Sequence, residues 1–215
     1  MKGQFIPYKD ENPSRKFPIV TVTLIVLNVA IFIWSLSNFD AIITQYGFTP
    51  VQFSFLTIIT SMFLHGGIEH ILGNMWYLWI FGDNVEDRFG RIKYSAFYIS
   101  AGIFAGLVHF VSDPASAIPA IGASGAISGV LGAYIAVFPK VKVKSIGPFY
   151  QPFETSAWVI IGLWFVLQLI LGVVSLFGTE SGGIAFFAHI GGFIFGWMIG
   201  KIYNKRLWET LLRPK

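Results

Sequence analysis

Cysteine is absent from this chain of 215 residues, which excludes a disulfide framework and a thiolate metal site. Charge is scarce as well. Asp, Glu, Lys and Arg together make up 12% of the residues, against about 25% in soluble domains. That deficit excludes a fold wetted on all sides, so lipid must solvate much of the surface. Histidine occurs only four times, so any general base has few candidates. No internal repeat and no low-complexity linker interrupts the chain, and a single domain over residues 1–215 is expected.

What the chain does have is long apolar runs, in keeping with a hydrophobic content of 54%. A spanning helix needs about 20 mostly apolar residues. Six runs qualify, at about Phe17–Leu36, His65–Phe81, Tyr94–Val111, Ser124–Phe138, Ala157–Phe177 and Ile184–Tyr203. The first exceeds a signal-peptide core and lacks a small-residue cleavage site, which makes it a retained span. The expected fold is all-α, a bundle of six transmembrane helices with short tails at about residues 1–16 and 204–215.

The cations fall into four groups. Lys2, Lys9, Arg15 and Lys16 precede the first run. Arg88, Arg91 and Lys93 lie between the second and third. Lys140, Lys142 and Lys144 lie between the fourth and fifth, and Lys201, Lys205, Arg206, Arg213 and Lys215 close the chain. The other three loops carry none. By the positive-inside rule both termini face the cytoplasm, and an inner cell membrane of a prokaryote is the expected location. The net charge of +4 is therefore a topology signal rather than a nucleic-acid footprint. The first outer loop, Ser37 to Leu64, is long and apolar with Asp40 as its one charge, as for a segment lying partly in the outer leaflet.

Polar residues inside the runs mark candidate chemistry. Ser124 opens the short fourth run within Gly122-Ala-Ser-Gly125. Free N–H groups and the positive end of the helix dipole gather there and can stabilise an oxyanion. His189 lies five residues into the sixth run, about 7 Å down, and His70 reaches a similar depth in the second. A serine and a histidine from separate membrane helices are the minimum parts of a nucleophile and its base. His70 and Asn74 share a helix face at i, i+4 and can both donate to an oxyanion. His65 would face Glu69 in a structural bond. Ser128 is a packing or hydrogen-bonding neighbour one turn below Ser124. His109 reads as structural. The tryptophans, among them Trp164, suit interfaces and packing. The Gly125/Gly129 and Gly192/Gly196/Gly200 series suit close helix contact.

These residues together resemble the rhomboid intramembrane serine proteases. Gly122-Ala-Ser124-Gly125 is similar to their Gly-x-Ser-Gly motif, and Ala188-His189-x-x-Gly192-x-x-x-Gly196 to the motif of their last core helix. His65-x4-His70-x3-Asn74, continuing to Glu86, is similar to their second core helix. The resemblance covers about residues 15 to 205. It implies Ser124 as nucleophile and His189 as general base, with His70, Asn74 and the Ser124 N–H as oxyanion hole. Glu86 would be a structural hydrogen-bonding residue. The implied activity is endopeptidase cleavage of single-span membrane substrates near the outer face, in the bilayer, with no cofactor and no metal. Two positions depart from the pattern. Ser128 stands where many relatives stack an aromatic on the histidine, and the first outer loop has no Trp-Arg pair.

Three other classes compete. An inactive rhomboid-like binder would lack the serine or histidine, and this chain keeps both. A transporter would carry intramembrane charges or inverted repeats. A metal-dependent intramembrane protease wants His-Glu-x-x-His, whereas Glu69-His70 runs in the wrong order.

Overall fold

A computed structural model describes residues 6–147, 150–177 and 185–211, with side chains to residue 205. The Gly178–Gly183 loop, expected to be a flexible joint, lies outside the described residues, as do Lys2, Arg213 and Lys215. The chain runs β1 (Ile6–Asp10), α1 (Ile19–Ser35), α2 (Phe39–Tyr46), a 3-10 turn (Pro50–Gln52) and α3 (Phe55–Ser61). There follow α4 (Ile68–Phe89), α5 (Arg91–Ser112), α6 (Ser124–Val137), β2 (Lys142–Ile146), β3 (Pro152–Ser156), α7 (Ala157–Ser175) and α8 (Phe186–Leu211).

Among the described residues, three helices are long and apolar enough to cross a membrane: Arg91–Ser112, Ala157–Ser175 and Phe186–Lys205. The apolar helices α1 and α6 are shorter, at 17 and 14 residues. At 1.5 Å per residue α6 rises about 21 Å, less than the hydrocarbon core of about 30 Å. The 22 residues of α4 would span, but its last two turns carry Asp83, Glu86, Asp87 and Arg88.

The second run differs from the sequence expectation at both ends. Gly66 and Gly67 break the chain before α4, so the helix starts at Ile68 rather than near His65. It ends at Phe89 rather than near Phe81, because the polarity beyond Phe81 has internal uses. Val85 packs in the core, and the buried Glu86 carboxylate takes the N–H groups of Val20 (3.0 Å) and Thr21 (2.8 Å). Those are first-turn donors of α1, which otherwise has no side-chain cap. Glycine at φ +78 then stops α4 and turns the chain straight into α5.

An all-α fold is corrected by a three-stranded antiparallel sheet in the order β1-β2-β3. Ile6 pairs with Ile146 and Lys142 with Ser156. Residues 6–10 are therefore not a free tail. Pro7 O accepts the Trp76 indole N–H at 2.7 Å. Asp10 accepts from the Asn84 amide at 2.8 Å and from the Tyr134 hydroxyl. Burial pushes the Asp10 carboxyl above the usual carboxylate value, with the Tyr134 bond pulling the other way. Lys144 bridges Glu154 (3.1 Å) and Glu11 (3.5 Å) across the sheet. β3 leads directly into α7.

The expected long first outer loop contains α2 and α3, with Phe53, Phe55 and Leu56 exposed on it. The core lies among α4, α5 and α6, where Leu78, Phe81, Tyr94, Tyr98, Val130 and Tyr134 are fully buried.

Glu86→Ala leaves the buried Thr21 N–H and the half-buried Val20 N–H without an acceptor, which costs about 2–3 kcal/mol. Glu86→Gln keeps one acceptor oxygen and loses about half as much. Thermal unfolding in lipid nanodiscs checks both. Equal Tm values for wild type and Glu86→Ala would refute the capping role.

Candidate active site

The site is set by how closely two helices approach. A Cβ added at Gly192 of α8 would overlap the carbonyl oxygen of Gly125 on α6, and one at Gly196 would overlap that of Gly129. Backbone lies on backbone at both points, a separation open only to glycine. That contact carries α8 past the start of α6, and His189 arrives beside Ser124. The imidazole Nε2 is 2.8 Å from Ser124 Oγ.

The other ring nitrogen of His189 meets a residue that sequence reasoning did not single out. Nδ1 lies 2.8 Å from Gln168 Oε1 on α7. One turn earlier on the same helix, the Trp164 ring lies 6.0 Å from the imidazole at an interplanar angle of 36°. Thus α7 supplies the aromatic neighbour that position 128 does not. The available signal was a lone amide within an apolar run, which is a functional flag in a membrane helix. Ser128 itself donates to Ser124 O at 2.6 Å and is buried.

The chain leading into α6 is held by backbone pairing. Phe48 and Ala120 exchange hydrogen bonds at 3.1 and 2.8 Å, and Gly122 N–H donates to Ser61 O at 2.9 Å. Gly122 takes φ +122, a conformation that L side chains avoid. No side chain caps α6, so its first-turn N–H groups remain around Ser124.

His70 stands across from the serine. Its Nδ1 accepts the Gly66 N–H at 3.2 Å, so in the neutral ring Nε2 carries the hydrogen. A Cβ at Gly122 would sit 2.8 Å from His70 Cε1 and Nε2 and 3.7 Å from Ser124 Oγ. The two side chains therefore border one small space that a glycine leaves open. Asn74, buried, donates one amide hydrogen to His70 O at 2.9 Å. A donor, a hydroxyl and an acceptor imidazole around one gap can bind a carbonyl oxygen, attack its carbon and take a proton.

One expected role changes. His65 does not bond Glu69, because the Gly66-Gly67 break puts His65 off the helix while Glu69 is solvent-exposed. Instead His65 is fully buried with its ring edge-on to His70, centroids 5.1 Å apart, and among the described residues neither ring nitrogen makes a hydrogen bond of ordinary geometry. Glu86 lies away from Ser124, at the start of α1. His109 lines a separate cleft of about 160 Å³ with Ser116, Ser175 and Phe186.

The architecture is that of a helical membrane protein with polar side chains gathered inside the bundle. The rhomboid domain family matches residues 52–206, and the chain belongs to that family. It is 28% identical over 158 residues to RHOMBOID-like protein 5 of Arabidopsis thaliana, covering 74% of this chain and 47% of that protein. It is 28% identical over 194 residues to the mitochondrial Rhomboid protein 1 of Saccharomyces cerevisiae, covering 85% and 54%. It is 32% identical over 168 residues to the mitochondrial presenilin-associated rhomboid-like protein A of Danio rerio, covering 74% and 41%. The chain spans about half the length of the curated relatives it matches.

Gly122→Ala forces a strained φ and drives a methyl into the His70 ring, so it lowers stability by about 1–3 kcal/mol. Gly73→Ala on α4, with open space around it, is neutral or slightly stabilising. Chemical unfolding of the two variants makes the comparison, and equal midpoints would contradict this geometry.

Proposed function

We propose that this protein is an intramembrane serine endopeptidase working by a Ser124–His189 dyad. The observation that carries the reading is the 2.8 Å contact between Ser124 Oγ and His189 Nε2, made within the membrane bundle of a rhomboid family member.

In the proposed reaction Ser124 Oγ attacks the carbonyl carbon of the scissile peptide as its proton passes to His189 Nε2. The carbonyl π electrons move onto oxygen. That oxyanion is held by His70 Nε2–H, by the Ser124 backbone N–H and by the Asn74 amide hydrogen not used on His70 O. The C–N bond then breaks as His189 returns the proton to the leaving amine. Water, activated by the same histidine, hydrolyses the acyl-serine and restores the hydroxyl. Gly122 keeps the approach to Ser124 free of a side chain, whereas a Cβ at Gly125 would lie 2.7 Å from Ala105 Cβ, so Gly125 serves the packing of α6 on α5. Ser128 and His65 act at a remove, through the Ser124 carbonyl and the His70 ring, and Glu86 supports the fold.

The proposal includes the membrane setting. The apolar helices α1, α4, α5, α6, α7 and α8 form six spans, and both termini lie on the cytoplasmic side of a prokaryotic cell membrane. Ser124 then opens a short helix just below the outer face, where water can enter. The substrate is a single-span membrane protein. Its helix hides its carbonyls in i, i+4 bonds, so it must unwind before attack. Weak helix near the outer end and a small residue before the cut favour that.

Ser124→Ala abolishes both fluorophosphonate labelling and cleavage of a reconstituted single-span substrate, whereas Ser128→Ala keeps measurable activity. Because His189 must be neutral to accept the proton, cleavage falls as the pH drops through its pKa, and His189→Ala is inactive at every pH. Labelling that survives Ser124→Ala would exclude the serine mechanism. Asn74→Ala lowers kcat by up to about 10²-fold with a smaller change in KM, since its bond tightens on the developing charge. Steady-state kinetics on the same substrate measure that split.

A further inference from the structure

Gln168 is the one amide in the apolar stretch Ala157–Val174 of α7, and it is buried. An amide in lipid needs a partner. Among the described residues it meets Nδ1 of His189, at 2.8 Å through Oε1. A carbonyl oxygen can only accept. With the amide oxygen toward the ring, the arrangement matches a ring hydrogen on Nδ1 and a lone pair on Nε2 facing Ser124 Oγ, which is the tautomer a general base requires.

The register of α7 on α8 makes this bond more than a chance pairing. Phe165 stacks on Phe193 with centroids 4.0 Å apart and planes at 15°. Trp164 flanks His189. Gly172 lets Phe186 and Ile190 approach, a Cβ there lying 3.2 Å from Ile190 Cδ1. Residues 164, 165, 168 and 172 follow the i, i+3, i+4 rows of one helix face. A slip of one turn would take the amide off the ring. Elsewhere α7 turns large apolar side chains outward, among them Leu163, Val166, Ile170 and Val173.

We propose that Gln168 is a positioning residue for His189, holding the imidazole in its Nδ1–H form and in line with Ser124, with Trp164 against the ring. The proposal rests on the dyad reading above. The amide takes the place that a carboxylate fills in soluble triads, and it does so without bringing a charge into the bilayer. When His189 takes the serine proton, Nδ1–H still donates to Oε1, so the bond strengthens as charge develops on the ring.

The test uses the full chain in nanodiscs. Gln168→Met preserves volume and removes the acceptor. Gln168→Glu keeps an acceptor oxygen. The expected result for Gln168→Met is a fall of about 10–100-fold in kcat and in the rate of Ser124 labelling, the loss of a hydrogen bond to a charging group. KM and Tm change little, and Gln168→Glu recovers most of the rate. Nitrogen-15 NMR of histidine-labelled protein, with the His189 signals identified by subtraction of His189→Ala, reads the tautomer independently. Wild type shows the proton on Nδ1, and Gln168→Met shows a mixture. A wild-type ring protonated on Nε2, or a Gln168→Met protein labelled at the wild-type rate, would overturn the proposal. Wild-type protein that fails to label at Ser124 would instead sink the dyad reading, and the tautomer measurement would still decide the role of Gln168.

Discussion

The contact on which the rest depends is the meeting of α6 and α8 without side chains between them. Gly125 and Gly129 offer carbonyl oxygens to Gly192 and Gly196 at distances that exclude even a methyl group. In a bilayer there is little hydrophobic force between helices, so close backbone packing is a main source of attraction. Here the same contact fixes the height and rotation of His189 against Ser124. A serine and a histidine separated by 65 positions come to hydrogen-bonding distance because the glycines on each helix repeat every four residues. Packing and placement of Ser124 against His189 are one arrangement.

Around that fixed pair, three other parts of the chain complete the site, each by a different means. The loop from Ala120 to Gly122 is tied by backbone hydrogen bonds to Phe48 and Ser61, which sets where α6 begins. α4 brings His70, whose ring is oriented by the Gly66 N–H and backed by His65. α7 brings Gln168 and Trp164 to the far side of His189. The imidazole is thereby contacted on both nitrogens and on one face by groups from two helices, α6 and α7, none of them charged.

Features encoded by local pattern were legible in the sequence. The apolar runs located α1, α5, α6 and α7 to within about three residues, and the glycine series marked the α6–α8 contact. The Gly-Ala-Ser-Gly stretch and His189 were legible because polar residues stand out in an apolar background. What escaped depended on partners far away in sequence. β1 alternates too weakly to announce a strand and exists because β2 offers an edge. The charges after Phe81 looked like a helix end, yet Glu86 finds its donors on α1. Gln168 was one amide among apolar neighbours, and its use became visible only once α7 and α8 were in register. His65 seemed helical until Gly66-Gly67 was seen to break the chain.

The sheet has a consequence for how the protein is made and handled. β1 leaves the ribosome well before its partner β2, which follows only after α6. The strand therefore stays an open edge while the helices before β2 enter the bilayer, and closes late, a pairing of high contact order. Once closed, it joins the front of the chain to β2, and β2 to β3, which continues into α7. Whatever is attached ahead of Ile6, whether a purification handle or a fused domain, pulls through two strands on the helix that touches His189.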